Sequence, residues 1–220
     1  KLASVEADYV FAPSNDEMYP VLPPTTSIIA GTITKQLCGQ SRPTHFEGVG
    51  IIVSKLFNIV QPDVAIFGQK DYQQLAIIKQ LVRDLSYPIE IIGAPIVRAD
   101  DGLALSSRNQ YLTDVERQSA PVLHQVLQNL AQQLAQKIAE QNFTKSVLSS
   151  LLAHSHQRIT DAGFVIDYLE VKTTELLPIN FDDSESNSPD FKHRPQPLII
   201  LVAAKLGKAR LLDNQLVSAK

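Results

Sequence analysis

The sequence predicts an α/β protein: a parallel sheet with its connecting helices, followed by a smaller α+β domain. Three observations carry this. Between residues 46 and 95 a helical pattern, a short apolar run, a second helical pattern and a second apolar run follow one another, the order of a strand–helix–strand unit. Past residue 113 the texture changes to two long helical patterns and two longer apolar runs. At 220 residues the chain is long enough to bury two modest cores, and its 44% hydrophobic and 20% charged content excludes disorder over most of the length.

Each element has its own signal. In "FEGVGIIVSKLFNIV", residues 46–60, Val49, Ile52, Val53, Leu56, Phe57 and Val60 recur at three- and four-residue spacing and mark one helix face, which "QPD" at 61–63 ends. "VAIFG", 64–68, carries no polar alternation and reads as a fully buried strand. "KDYQQLAIIKQLVRDLS", 70–86, returns to helical spacing through Leu75, Ile78, Leu81, Val82 and Leu85, and "IEIIGAP", 89–95, reads as a second buried strand. Residues 114–140 and 144–161 read as two helices, the first through Val122, Leu123, Val126, Leu130, Leu134 and Ile138, the second through Val147, Leu148, Leu151 and Leu152. "FVIDYLEV" and "PLIILVAAKL" read as strands around an insertion at 182–195, whose Ser, Asp and Pro content suits a mobile surface loop.

Composition narrows the function. A net charge of −3 offers no global basic field for nucleic acid or an anionic membrane, so a phosphate ligand must be met locally. The single cysteine, Cys38, allows no intramolecular disulfide and reads as packing rather than as a nucleophile. No apolar run approaches the roughly 20 residues of a membrane span, and a cytoplasmic location is expected. Lys1 stands where an initiator Met would be, and an N-terminal piece is expected to be missing.

Parallel strands gather ligands outside their carboxyl ends. Two loops leave such ends here, "FGQKD" and "APIVRADDGLALSSRNQ", residues 94–110, and both face one crevice if the strands are neighbours. Lys70 opens a helix, where dipole and unpaired N–H groups disfavour a cation. An anion bound there would compensate, with Gly68 letting a phosphate approach the backbone; alternatively Lys70 is solvated and Asp71 offsets the dipole. "LSSRN" sets two hydroxyls and a guanidinium side by side, donors suited to phosphate oxygens, or else a capped helix start or exposed turn. The "ADD" at 99–101 reads as a turn rather than a metal cage.

The segments "SRPTHFEGVGIIVSKLFNIVQPDVAIFGQKDYQQLAIIKQLVRDL", "PIVRADDGLALSSRNQYL" and "ILVAAKLGKARLLDN" closely resemble the pantoate-beta-alanine ligases, over essentially the whole chain. The resemblance implies a Rossmann-like nucleotidyltransferase domain, incomplete here, over 1–97, with an α+β lid domain over 98–220. It implies ATP-dependent ligation of pantoate and beta-alanine through a pantoyl adenylate, in a homodimer, with Mg2+ as the ATP counter-ion, although no clustered carboxylates in this sequence form a dedicated metal cage. Gly68, Gln69, Lys70 and Asp71 match the family's ATP-binding loop, and Leu105, Ser106, Ser107 and Arg108 match its second one. Val97 matches a residue near the adenine, Gln74 a pantoate-binding glutamine, and Arg42 an arginine at the edge of the pantoate pocket, with a structural loop contact as its alternative. Lys70, Ser106 and Arg108 are the expected catalytic groups. His45 is expected to be structural. The family's upstream histidine signature and second pantoate-binding glutamine are not found, and His45, His124, His154, His156 and His193 lie in other contexts. The alternatives are a non-catalytic fragment keeping part of the ATP site and the dimer contacts, or another adenylate-forming transferase on the same scaffold.

Overall fold

The computed structural model describes residues 3–181 and 197–218. The insertion at 182–195, and with it the mobile-loop reading, lies outside the described residues. Two short helices, α1 (Asn15–Met18) and α2 (Cys38–Ser41), and 3-10 turns at Ala3–Val5 and Gly31–Lys35 precede the first long element. None of these carries enough periodicity to be legible in sequence. Helix α3 (His45–Val60) ends on Gln61 in the left-handed region (φ 50°), where Pro62 forbids continuation.

Strand β1 (Val64–Gly68) pairs in parallel with β2 (Glu90–Ala94), and α4 (Tyr72–Asp84) lies between them in the chain. The register sets Gly68 opposite Ala94, so the two loops do leave neighbouring carboxyl ends. The expectation that β1 and β2 are fully buried strands is corrected. Ala65, Phe67 and Ile91 pack against Val53, Phe57, Ile78 and Leu81 of α3 and α4. The opposite face stays open, with Val64, Ile66 and Ile92 exposed at 44%, 67% and 41%. An unbroken apolar run reports hydrophobicity on both faces, but helices cover only one of them. Helix α4 is also shorter than 70–86, because residues 69–71 form a 3-10 turn and Leu85 is its exposed cap.

The helix expected over 114–140 is two helices, α5 (Asp114–Ser119) and α6 (Val122–Ala139). Pro121 has no N–H to continue the ladder, so the axis breaks there. Helix α7 (Lys145–Asp161) is capped by Thr144, whose hydroxyl accepts from the Val147 N–H. Strands β3 (Val165–Thr173), β4 (Leu198–Leu206) and β5 (Ala209–Val217) form an antiparallel sheet in that order. The polar run Asp213–Asn214–Gln215 hides β5 from periodicity. A two-residue turn, Gly207–Lys208, joins it to β4, with Gly207 at φ +54° as a hairpin turn requires.

Central strand β4 shows how the two parts meet. Its Ile200, Val202 and Ala204 face Leu123, Leu127 and Leu130 of α6, while Ile199 and Leu201 face Leu37, Phe46 and Ile77 from the first half of the chain. Both faces are buried, so its apolar run is continuous.

Candidate functional site

Three chain segments converge at the carboxyl end of the parallel pair. The first is the turn Gln69–Asp71 leading into α4. Gln69 Nε2 donates to the Gly93 carbonyl at 3.1 Å, tying this turn back to β2. Lys70 Nζ lies 3.5 Å from Asp71 Oδ2. Gly68 has φ −70°, and a Cβ added to it would meet nothing within 4 Å, so the chain's own atoms do not require glycine there.

The second segment is the arm from α2 into α3. Buried Gln73 of α4 holds it, accepting from the Cys38 N–H (3.1 Å) and donating to the carbonyls of Ile33 (2.8 Å) and Gln36 (2.7 Å). Gly39 is needed there, since a Cβ would sit 1.8 Å from the Thr34 carbonyl oxygen. The arm delivers Arg42 and His45, with Arg42 Nη1 3.4 Å from His45 Nε2. Burial, then the charge of Arg42, holds the His45 imidazole below its ordinary pKa, so it stays neutral near pH 7.

The third segment is the loop after β2. Residues 99–102 form the expected turn, closed by the Gly102 N–H on the Ala99 carbonyl (2.8 Å). The Leu105 N–H donates to the Val97 carbonyl (2.9 Å), and Arg98 and Ala104 bridge across the turn. Ser106 caps a 3-10 turn over Ser107–Tyr111, its hydroxyl accepting from the Arg108 N–H at 3.2 Å.

Between these segments lies a cleft of about 430 Å³. It brings together Arg42, Lys70, Asp71, Gln74 and Arg108 of the predicted residues, and His45, expected to be structural, lines it too. Gly68, Gln69, Val97, Leu105, Ser106 and Ser107 do not line it; Val97 and Leu105 are exposed.

Sequence reasoning missed the far wall, which comes from β3, β4 and β5. There Arg210 bonds Asp167 at 2.6 Å and approaches Cys38 Sγ at 3.6 and 3.7 Å, and Cys38 Sγ lies 3.2 Å from Tyr168 Oη. Burial works against the charge on Arg210, but its bonds to Asp167 and Cys38 outweigh that and raise its pKa. Burial, then neighbouring Cys38, pushes the Tyr168 phenol well above its usual range. The "GKARLLDN" stretch was the one signal for this wall, and alternation within an unrecognised strand was needed to use it.

Charge decides what the cleft can hold. Four cations line it, Arg42, Lys70, Arg108 and Arg210, with Asp71 and Asp213 as the carboxylates. Asp213 is neutralised from behind by Arg98 at 2.7 Å. Among the described residues no carboxylate lies within ion-pair distance of Arg42 or Arg108. Unpaired guanidinium groups in a concave site attract anions.

Fold and cleft define a two-part α/β protein with a cationic site at the carboxyl edge of a parallel pair. The family model described as pantoate-beta-alanine ligase matches residues 1–216, and this chain belongs to that family. It is 66% identical to the pantothenate synthetase of Psychrobacter cryohalolentis over 99% of this chain and 71% of that one. It is 68% identical to that of Psychrobacter arcticus over 99% and 70%. Among solved structures it superposes on pantothenate synthetase from Thermus thermophilus with a TM-score of 0.80 at 37% identity, covering 98% of this chain and 72% of the other. The pantoate-beta-alanine ligase of Francisella tularensis, complexed with beta-gamma ATP and beta-alanine, matches with a TM-score of 0.70 at 31% identity, covering 98% and 67%.

Proposed function

We propose that the cleft binds the triphosphate of ATP and the carboxylate of pantoate, and serves the formation of pantoyl adenylate. The observation that carries this reading is the convergence of Lys70 and Arg108, from separate loops, on one cleft that also holds Gln74 and Arg42. The Francisella tularensis relative complexed with beta-gamma ATP and beta-alanine supports the choice of nucleotide.

In the first step a pantoate carboxylate oxygen attacks the α-phosphorus and pyrophosphate leaves. In the second the amine of beta-alanine attacks the acyl carbon, AMP leaves and a proton is lost from nitrogen. Neither step needs a protein nucleophile. Negative charge shifts onto phosphate oxygens in the transition state, so fixed cations and alignment lower the barrier. Lys70 and Arg108 supply the charge. Ser106 and Ser107 donate to oxygens, and the backbone of Gly68, Gln69, Asp71 and Leu105 frames the phosphates. Val97 packs beside the adenine, while Gln74 and Arg42 orient pantoate. Mg2+ travels on the nucleotide as its counter-ion; among the described residues no group of three or more His, Cys, Asp and Glu is clustered for a metal.

We place the division between nucleotide and lid domains at 97/98 and read the assembly as a cytoplasmic homodimer, so a solution mass equal to one chain would count against the dimer. The test of function is pyrophosphate release from ATP that depends on added pantoate. The second reading is a fragment that keeps part of the ATP site and binds nucleotide without turnover. Saturable ATP binding with no pantoate-dependent pyrophosphate release would select that reading.

A further inference from the structure

Asp213 and Asn214, adjacent on β5, both line the cleft, and the chemistry above gives neither a task. Asn214 is buried, and its side-chain Nδ2 donates to both the Gln69 carbonyl (2.8 Å) and the Lys70 carbonyl (3.1 Å). Its backbone N–H donates to Asp213 Oδ1 at 2.8 Å. Buried Asp213 also accepts two bonds from the Arg98 guanidinium, at 2.7 and 2.8 Å, and Arg98 Nη1 donates in turn to the Gly102 carbonyl at 3.0 Å. A continuous chain of bonds thus runs from the turn of the second loop, through the ion pair, to the backbone carrying Lys70. Among the described residues no hydrogen bond joins the two loops directly.

We infer that Asn214 is a positioning residue for Lys70, with the Arg98–Asp213 pair fixing its orientation; this rests on the ATP reading above. The residue type follows from the geometry. Two adjacent carbonyls at the start of a helix lie within reach of one nitrogen, and a primary amide is the short side chain that can give each of them a hydrogen. A carboxylate there would face two acceptors with none to give. Without the amide the 69–71 turn loses its clamp to β5, and the ammonium loses its fixed direction while the rest of the cleft keeps its shape.

The test compares equilibrium binding of ATP and of adenosine to the intact chain and to Asn214→Ala, Lys70→Ala and the double variant. Asn214→Ala is expected to lower ATP affinity about fivefold and adenosine affinity by less than about twofold. In the Lys70→Ala background the same substitution is expected to have no further effect on ATP, because a residue that acts through Lys70 cannot act once Lys70 is gone. Equal losses for ATP and adenosine, or losses that add in the double variant, overturn the positioning role. ATP affinity unchanged in Asn214→Ala but lowered in Lys70→Ala overturns it while leaving the phosphate reading standing; ATP affinity unchanged in Lys70→Ala overturns both. If Asn214→Ala does not fold, Asn214→Ser, which keeps one donor, carries the same comparison with an expected loss of about twofold for ATP alone.

Discussion

Replacing Lys70 by alanine removes a cation that is 18% exposed and whose near partner is Asp71, 3.5 Å away on a side chain that is 48% exposed. Such a solvated ion pair is worth about 0.2–1 kcal/mol, and ligand binding gives up part of it. A charged donor bonded to a phosphate oxygen returns about 1.5–3 kcal/mol. The difference, about 1–2 kcal/mol, corresponds to roughly a 5- to 30-fold loss of ATP affinity in Lys70→Ala. Titration calorimetry or fluorescence competition with ATP, repeated with adenosine, reads it directly. Adenosine should bind as before, since the lost interaction is with phosphate. Where turnover is measured, the same substitution should slow pantoate-dependent pyrophosphate release at least about tenfold. An ATP affinity within experimental error of the unsubstituted protein would refute the placement of the triphosphate beside Lys70.

Gln73→Ala leaves the Cys38 N–H and the carbonyls of Ile33 and Gln36 without their buried partner, and at about 1 kcal/mol each the urea midpoint should report a loss of about 3 kcal/mol; an unchanged midpoint would contradict the clamp. Ile66→Thr, on the open face of β1, should leave stability within about 0.5 kcal/mol, whereas a loss above about 2 kcal/mol would mean that this face is buried. For His45 and His124 burial holds the folded-state pKa below the ordinary 6.5, so the unfolded chain binds protons first as pH falls. Their contribution to stability is therefore complete above about pH 6.5 and declines below it, and urea midpoints measured between about pH 8 and pH 5 should fall, less steeply in His124→Gln.

Local pattern made the parallel unit legible. Spacing located α3 and α4, and two short apolar runs located β1 and β2 to within a residue or two. Lys70 and Arg108 were legible as candidate phosphate donors because each sits in a compact motif on a loop that leaves a parallel strand, whereas Gln74 came only from the resemblance to the family. What stayed hidden depends on partners far away in the chain. The open face of β1 follows from how many layers cover the sheet, which no single strand encodes. Asn214 contacts the backbone of Lys70 across 144 residues of sequence, and its strand alternates too weakly to reveal which side chains turn inward. Tyr168 and Arg210 were missed for the same reason, as single residues on strands of a sheet whose second face packs on the first half of the chain. Pro121, by contrast, was visible in the sequence, and its missing N–H was enough to split the 114–140 helix.

The most direct measurement is a crystal structure of this chain with a non-hydrolysable ATP analogue. Phosphate density is expected in the cleft, within hydrogen-bonding reach of both the Lys70 ammonium and the Arg108 guanidinium. Density for the triphosphate elsewhere, with these two groups turned apart into solvent, would contradict the account.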